Sequence, residues 1–208
     1  MRSALVAALL LTASSLHGLT FTFEGGKEGL LELPSGKPRA VVLYFHRAIE
    51  DRSIVREWAK LLGPGGYAVA GYTSSNTTYI VREGQNALAA LRGRKEVAGI
   101  PVILMGASRG TAAASRLFAA DPAVRGLVLI VPVSLDLCES LQHANGRPVL
   151  IVEAGKDEVA QMRPGEILRC APKNAGHILL PDSSHRFPPS VPAPQILRWL
   201  ESLSKIVL

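Results

Sequence analysis

What most constrains the fold of this chain is a series of short apolar runs that do not alternate with polar residues. They are Ala40 to Phe45 (AVVLYF), Tyr67 to Tyr72, Pro101 to Met105, Val124 to Val131 and Pro148 to Val152. A strand solvated on one face reads apolar, polar, apolar, whereas a continuous run implies a strand covered on both faces. Between the runs the period changes. Asp51 to Leu62 carries Ile54, Val55, Trp58, Leu61 and Leu62 at helical spacing, with Asp51 or Ser53 available as a cap. Tyr79 to Leu91 places Ala87, Leu88 and Leu91 on one side, and a small-residue helix after Gly110 runs to Ala120, where Asp121-Pro122 stops it. Strand and helix in alternation predict an α/β fold, with helices on both faces of a mainly parallel sheet. Leu19 to Phe23 and Leu30 to Leu33, joined by Gly25-Gly26, predict an antiparallel N-terminal hairpin. Ile178 to Leu180 is read as the last strand and Gln195 to Ser204 as a closing helix.

Ligands of such sheets bind beyond the carboxyl ends of the strands, so residues that do chemistry should stand just after the apolar runs. Gly106-Ala107-Ser108-Arg109-Gly110 does so. This G-x-S-x-G pattern predicts a sharp turn from strand to helix that lifts Ser108 above the sheet edge. Gly106 and Gly110 leave room where strand and helix nearly collide. With nineteen glycines in the chain, chance supplies such a pattern roughly 0.1 times, so its surroundings must decide. Asp157 follows the run ending at Val152, and His185 follows Ile178 to Leu180. A serine hydroxyl is a poor nucleophile until a base takes its proton, and an imidazole needs a carboxylate to orient it and to stabilise its charged form. Ser108, His185 and Asp157 supply these types. Asp136 also follows a strand and is the rival acid; Glu153 and Glu158 are weaker ones. His177 precedes the last strand, His143 reads as a surface residue and Asp182 as a turn former.

The order Ser108, Asp157, His185 resembles that of the α/β-hydrolase superfamily, and the resemblance extends over nearly the whole chain. The strand ending in His46 resembles the one leading to the family's His-Gly motif. Gly106 to Gly110 resembles its elbow, Gly155-Lys156-Asp157 its acid turn and Ser183-Ser184-His185 its histidine loop. The resemblance implies the family's three-layer α/β/α fold and a serine hydrolase acting on ester or thioester bonds through an acyl-enzyme. It implies two backbone donors for the oxyanion: the N–H of Arg109 and, by position, that of Ala48. Where the family has glycine this chain has Arg47, so Arg47 stays open as the donor, and His46 is expected to support the loop. Only about fifteen residues separate Val131 from Arg147, enough for one helix but not for a cap domain, so an open site of the carboxylesterase or dienelactone-hydrolase-like kind is expected. Arg109 and Arg186 flank the serine and histidine and suggest an anionic substrate group. A non-catalytic binding protein and, further off, a peptidase are the alternatives.

At 208 residues and 48% hydrophobic content the chain suits one domain, expected over 19–208. Met1-Arg2-Ser3, the apolar stretch Ala4 to Leu11 and Thr12-Ala13-Ser14-Ser15 read as a signal peptide over 1–18, cleaved near Ser15. The apolar stretch is short of the roughly twenty residues that a membrane span needs, so export without stable membrane insertion is expected, to a periplasmic or extracellular location. Export permits a disulfide between Cys138 and Cys170. Two buried free thiols are the other reading, since cysteines at opposite edges of the sheet could not meet. Twenty-three basic against seventeen acidic residues give +6, spread singly and without a run, which argues against a nucleic-acid surface. No P-loop, dinucleotide glycine pattern or metal-ligand cluster is seen in the sequence, so no cofactor and no metal site are implied. The sequon Asn76-Thr77-Thr78 carries no weight by itself.

Overall fold

A computed structural model of the chain describes residues 17–74, 80–133 and 136–204. It contains one sheet in the order β1-β2-β4-β3-β5-β6-β7-β8. β1 (His17–Phe23) pairs antiparallel with β2 (Lys27–Leu33), which pairs antiparallel with β4 (Tyr67–Tyr72). From β4 onward the sheet is parallel, through β3 (Ala40–Phe45), β5 (Val102–Ala107), β6 (Val124–Ile130), β7 (Val149–Lys156) and β8 (Gly176–Ser184). The expected hairpin is present and longer than its apolar residues suggested. Its turn works because Gly25 and Gly26 take φ of 76° and 71°, which residues with a Cβ avoid.

Period-two alternation splits each strand between two apolar layers. Val41, Leu43 and Phe45 of β3 pack with α2 (Ile80–Arg92), α3 (Gly110–Ala120) and α4 (Leu137–Gln142) on one face. Ala40, Val42 and Tyr44 pack with α1 (Ile54–Leu62) and α5 (Ala193–Ser204) on the other. Every residue of β3, β4 and β5 is buried, which is why their runs carry no polar alternation. The three-layer α/β/α sandwich with an antiparallel N-terminal hairpin is therefore the observed architecture.

Several boundaries differ from the sequence reading. α1 begins at Ile54, and Ser53 makes no side-chain cap; Asp51 Oδ1 instead accepts the Ser53 N–H at 2.7 Å. β8 extends well beyond Ile178 to Leu180, carrying Pro181, Asp182 and Ser184 that apolar content could not flag. β1 begins at His17, inside the expected signal segment, while residues 1–16 and the sequon lie outside the described residues. Among the described residues, the segment between β6 and β7 holds α4 alone as a helix. Arg147 anchors its end by donating to the carbonyls of Asp121, Val124, His143 and Ala144 at 2.8–3.1 Å.

Cys138 and Cys170 are bonded, with Cα atoms 5.2 Å apart. The placement at opposite edges of the sheet is overturned by the topology. Cys138 lies in the β6-to-β7 crossover and Cys170 in the β7-to-β8 crossover, and these neighbours cover the same face, where Leu137, Leu141 and Ile167 pack together.

Candidate active site

The elbow is built by steric exclusion. A Cβ on Gly106 would stand 2.5 Å from the carbonyl oxygen of Gly110, and one on Gly110 would run into the carbonyl of Phe45. Ser108 between them has φ of 52°, a left-handed conformation that costs a non-glycine residue free energy. Tertiary bonds hold it there. Its N–H donates to Ile130 O at 2.9 Å, and its carbonyl accepts from Thr111 N at 3.0 Å and Thr111 Oγ1 at 2.5 Å. Strain is thus offset by strand β6 on one side and the first turn of α3 on the other.

Asp157 and His185 reach Ser108 because β7 and β8 converge at their carboxyl ends. Gly155 permits this, since a Cβ there would stand 2.5 Å from Pro181 O. Beyond it, His185 Nδ1 lies 2.8 Å from Asp157 Oδ2 and 2.9 Å from Oδ1, and His185 Nε2 lies 2.9 Å from Ser108 Oγ. A carboxylate can only accept, so Nδ1 carries the ring proton and Nε2 accepts from the serine hydroxyl. Asp157 Oδ1 also accepts from Val159 N and Ala160 N, each at 2.9 Å, which holds the carboxylate independently of the histidine. His185 is buried and Ser108 half-buried, so the imidazole is shielded while the serine residue keeps some exposure.

The loop after β3 is held from several directions. His46 is buried, with Nε2 accepting from Ser74 N at 2.9 Å and Nδ1 donating to Arg47 O at 2.6 Å. Burial lowers the pKa of His46 from its ordinary value, and the Arg109 charge lowers it further, against the bond to Arg47 O. Arg47 N donates to Glu50 Oε2 at 3.0 Å. That bond engages Arg47 N within its own loop. Among the described residues, no hydrogen bond uses the N–H of Ala48 or of Arg109.

The remaining candidates lie elsewhere or do other work. Asp136 forms an ion pair with Arg116 and borders a cleft of about 520 Å³ between α3 and α4, together with the exposed His143. Glu153 is buried, accepting from Gly165 N at 2.8 Å with His177 Nε2 at 2.7 Å. Glu158 Oε2 lies 3.4 Å from His185 N, and Asp182 makes an exposed pair with Lys156 at 3.0 Å. The Arg109 guanidinium donates to Ser74 O at 2.8 Å, so it is engaged within the fold, while Arg186 is exposed.

Sequence reasoning missed Ser74 and Glu83. Both are buried; Ser74 Oγ donates to Glu83 Oε2 at 2.6 Å, and Glu83 also pairs with Lys27. Position alone could have pointed to Ser74, since it stands just past the end of β4. Glu83 gives no such sign, because a carboxylate in the first turns of a helix is ordinary.

No protein-family model and no curated protein sequence matches the chain. Solved structures do. The dienelactone hydrolase of Anabaena variabilis superposes with a TM-score of 0.77 at 19% identity, covering 91% of this chain and 98% of its own. The esterase domain of a Rhodothermus marinus protein gives 0.72 at 18%, covering 92% and 98%. A cold-adapted esterase from an Arctic intertidal metagenomic library gives 0.72 at 16%, covering 90% and 93%. Agreement over almost the full length of each chain at such low identity is agreement of fold, and the chain has the α/β-hydrolase fold.

Proposed function

We propose that this protein is a serine hydrolase that cleaves carboxylic ester or thioester bonds through an acyl-enzyme intermediate. The observation that carries the proposal is the bridging of Ser108 Oγ and the Asp157 carboxylate by one buried imidazole, at 2.9 Å and 2.8 Å. In this reading Ser108 Oγ attacks the carbonyl carbon while its proton passes to His185 Nε2. The resulting oxyanion meets the N–H groups of Arg109 and Ala48, and the imidazolium is stabilised by Asp157. Nε2 then protonates the departing alcohol or thiol. Water, deprotonated by the same nitrogen, attacks the acyl-enzyme and releases the acid and Ser108. No step calls on a metal or cofactor, and the substrate is a small molecule reaching an open site. The names of the solved esterases and of the dienelactone hydrolase support hydrolysis of esters. We also propose export after cleavage near Ser15, which leaves β1 whole from His17, a reading supported by the Cys138–Cys170 disulfide, since such bonds persist in oxidising compartments.

Labelling with a fluorophosphonate tests the activity. Stoichiometric modification of the parent protein, abolished in Ser108→Ala, is the expected result. A folded parent that resists labelling would leave the fold serving as a binding protein.

A further inference from the structure

Arg47 occupies a position where a bulky side chain is unexpected, and the structure gives that side chain a task. It is largely buried, at 11% exposed, and turns away from solvent towards the histidine loop. Its Nη1 donates to the carbonyl of Phe187 at 3.1 Å, and its guanidinium carbon lies 4.9 Å from the centroid of the Phe187 ring. Phe187 is itself buried and stands two residues after His185. At the other end of the residue, Arg47 N donates to Glu50 Oε2 and Arg47 O accepts from His46 Nδ1 and Glu50 N. Glu50 Oε2 is steadied in turn by the Tyr44 hydroxyl at 2.9 Å. Burial pushes the pKa of that phenol well above its ordinary range, so it remains a donor.

We propose that Arg47 is a positioning residue that fastens the loop bearing the Ala48 N–H to the loop bearing His185, so that oxyanion donor and general base keep one fixed separation. This rests on the serine hydrolase reading given above. A glycine in this place would let the loop bend but could not reach the histidine loop. Arg47 exchanges that freedom for a planar fork that can hold a carbonyl and lie over an aromatic ring at once. The consequence lies in the transition state. Substrate binding needs neither loop to be held exactly, whereas an oxyanion donor displaced by about an ångström loses rate on the order of 100-fold.

The test compares steady-state kinetics on an aryl ester with the rate of fluorophosphonate labelling, for the parent, Arg47→Met and Arg47→Lys. Methionine keeps the apolar stem over Phe187 and removes every donor. It is expected to lower kcat about 100-fold, to slow labelling in parallel, and to leave KM within about twofold. Lysine keeps the charge and a donor without the fork, and should fall between, about tenfold below the parent in kcat. A thermal melt of each variant shows whether it is folded. Folded Arg47→Met with parental kcat, or with a loss confined to KM, overturns the proposal. If Arg47→Met does not fold, Arg47→Lys decides alone, and parental kcat there overturns it equally. Failure of the hydrolase reading looks different: the parent itself would neither turn over the ester nor be labelled.

Discussion

Asp157 and His185 meet through both carboxylate oxygens, at 2.8 Å and 2.9 Å from one ring nitrogen. Because Oδ1 is also claimed by two backbone N–H groups of its own loop, the carboxylate is held by the turn after β7 independently of the histidine. Replacing Asp157 by Asn sets an amide opposite Nδ1 and favours the wrong tautomer, which at comparable sites costs about 10⁴ in kcat. Asp157→Asn is therefore expected to lose about that factor on an aryl ester. Asp136→Asn, which weakens a partly exposed pair with Arg116 away from Ser108 and His185, should remain within about twofold of the parent. Reversal of the two outcomes in the same assay would transfer the acid role to Asp136.

The glycines of the elbow make a second prediction, one about folding and not about chemistry. At Gly106 and Gly110 an added methyl meets backbone, which cannot rotate away as a side chain can. Overpacking of this kind destabilises by about 1–3 kcal/mol, and the backbone contact argues for the upper end. Urea unfolding of Gly106→Ala and Gly110→Ala should show that loss. Gly99→Ala, where nothing lies within 4 Å but φ is +73°, should lose only the about 1–2 kcal/mol of left-handed backbone strain. Equal losses at all three positions would mean that clearance is not what the motif provides.

These two kinds of residue explain what could be read in advance. The buried strands and the strand-turn-helix at Ser108 were legible because covering both faces of a sheet leaves only apolar residues, and a close approach leaves only glycine. Asp157 and His185 were legible through position, since each stands just after a strand. Arg47 and Glu83 were not. Their roles depend on which loops the sheet order brings side by side, and a residue that bonds across 140 positions of sequence, as Arg47 does to Phe187, leaves no local pattern. The disulfide was ambiguous for the same reason, turning wholly on whether two crossovers share a face.

That disulfide joins α4 to the connection between β7 and β8, across a sequence separation of 32. Closing a loop of this size stabilises by about 3–4 kcal/mol where the unfolded chain bears the entropy cost. Chemical denaturation with and without dithiothreitol should differ by about that amount. The double variant Cys138→Ser and Cys170→Ser should be less stable than the oxidised parent and indifferent to reductant. A parent equally stable with and without dithiothreitol would show that the bond contributes nothing to the folded state.

His46 supplies a pH dependence whose sign is fixed by its partners. Nε2 must be unprotonated to accept from Ser74 N–H, and burial lowers the folded-state pKa below the ordinary 6.5. In the unfolded chain the ring takes up its proton near 6.5, while the folded ring resists it. The contribution of the neutral ring to stability is therefore complete above about 6.5 and is lost as pH falls towards the depressed folded value. Below that value Nε2–H faces the Ser74 N–H donor to donor, and the loop carrying Arg47 and Ala48 loses its tie to the end of β4. Urea unfolding of the parent at pH 7.5 and pH 5 should thus show a larger fall in stability than His46→Gln, whose side chain does not titrate. If the variant loses as much between the two pH values as the parent, another group carries the dependence, and His46 is not what holds the loop.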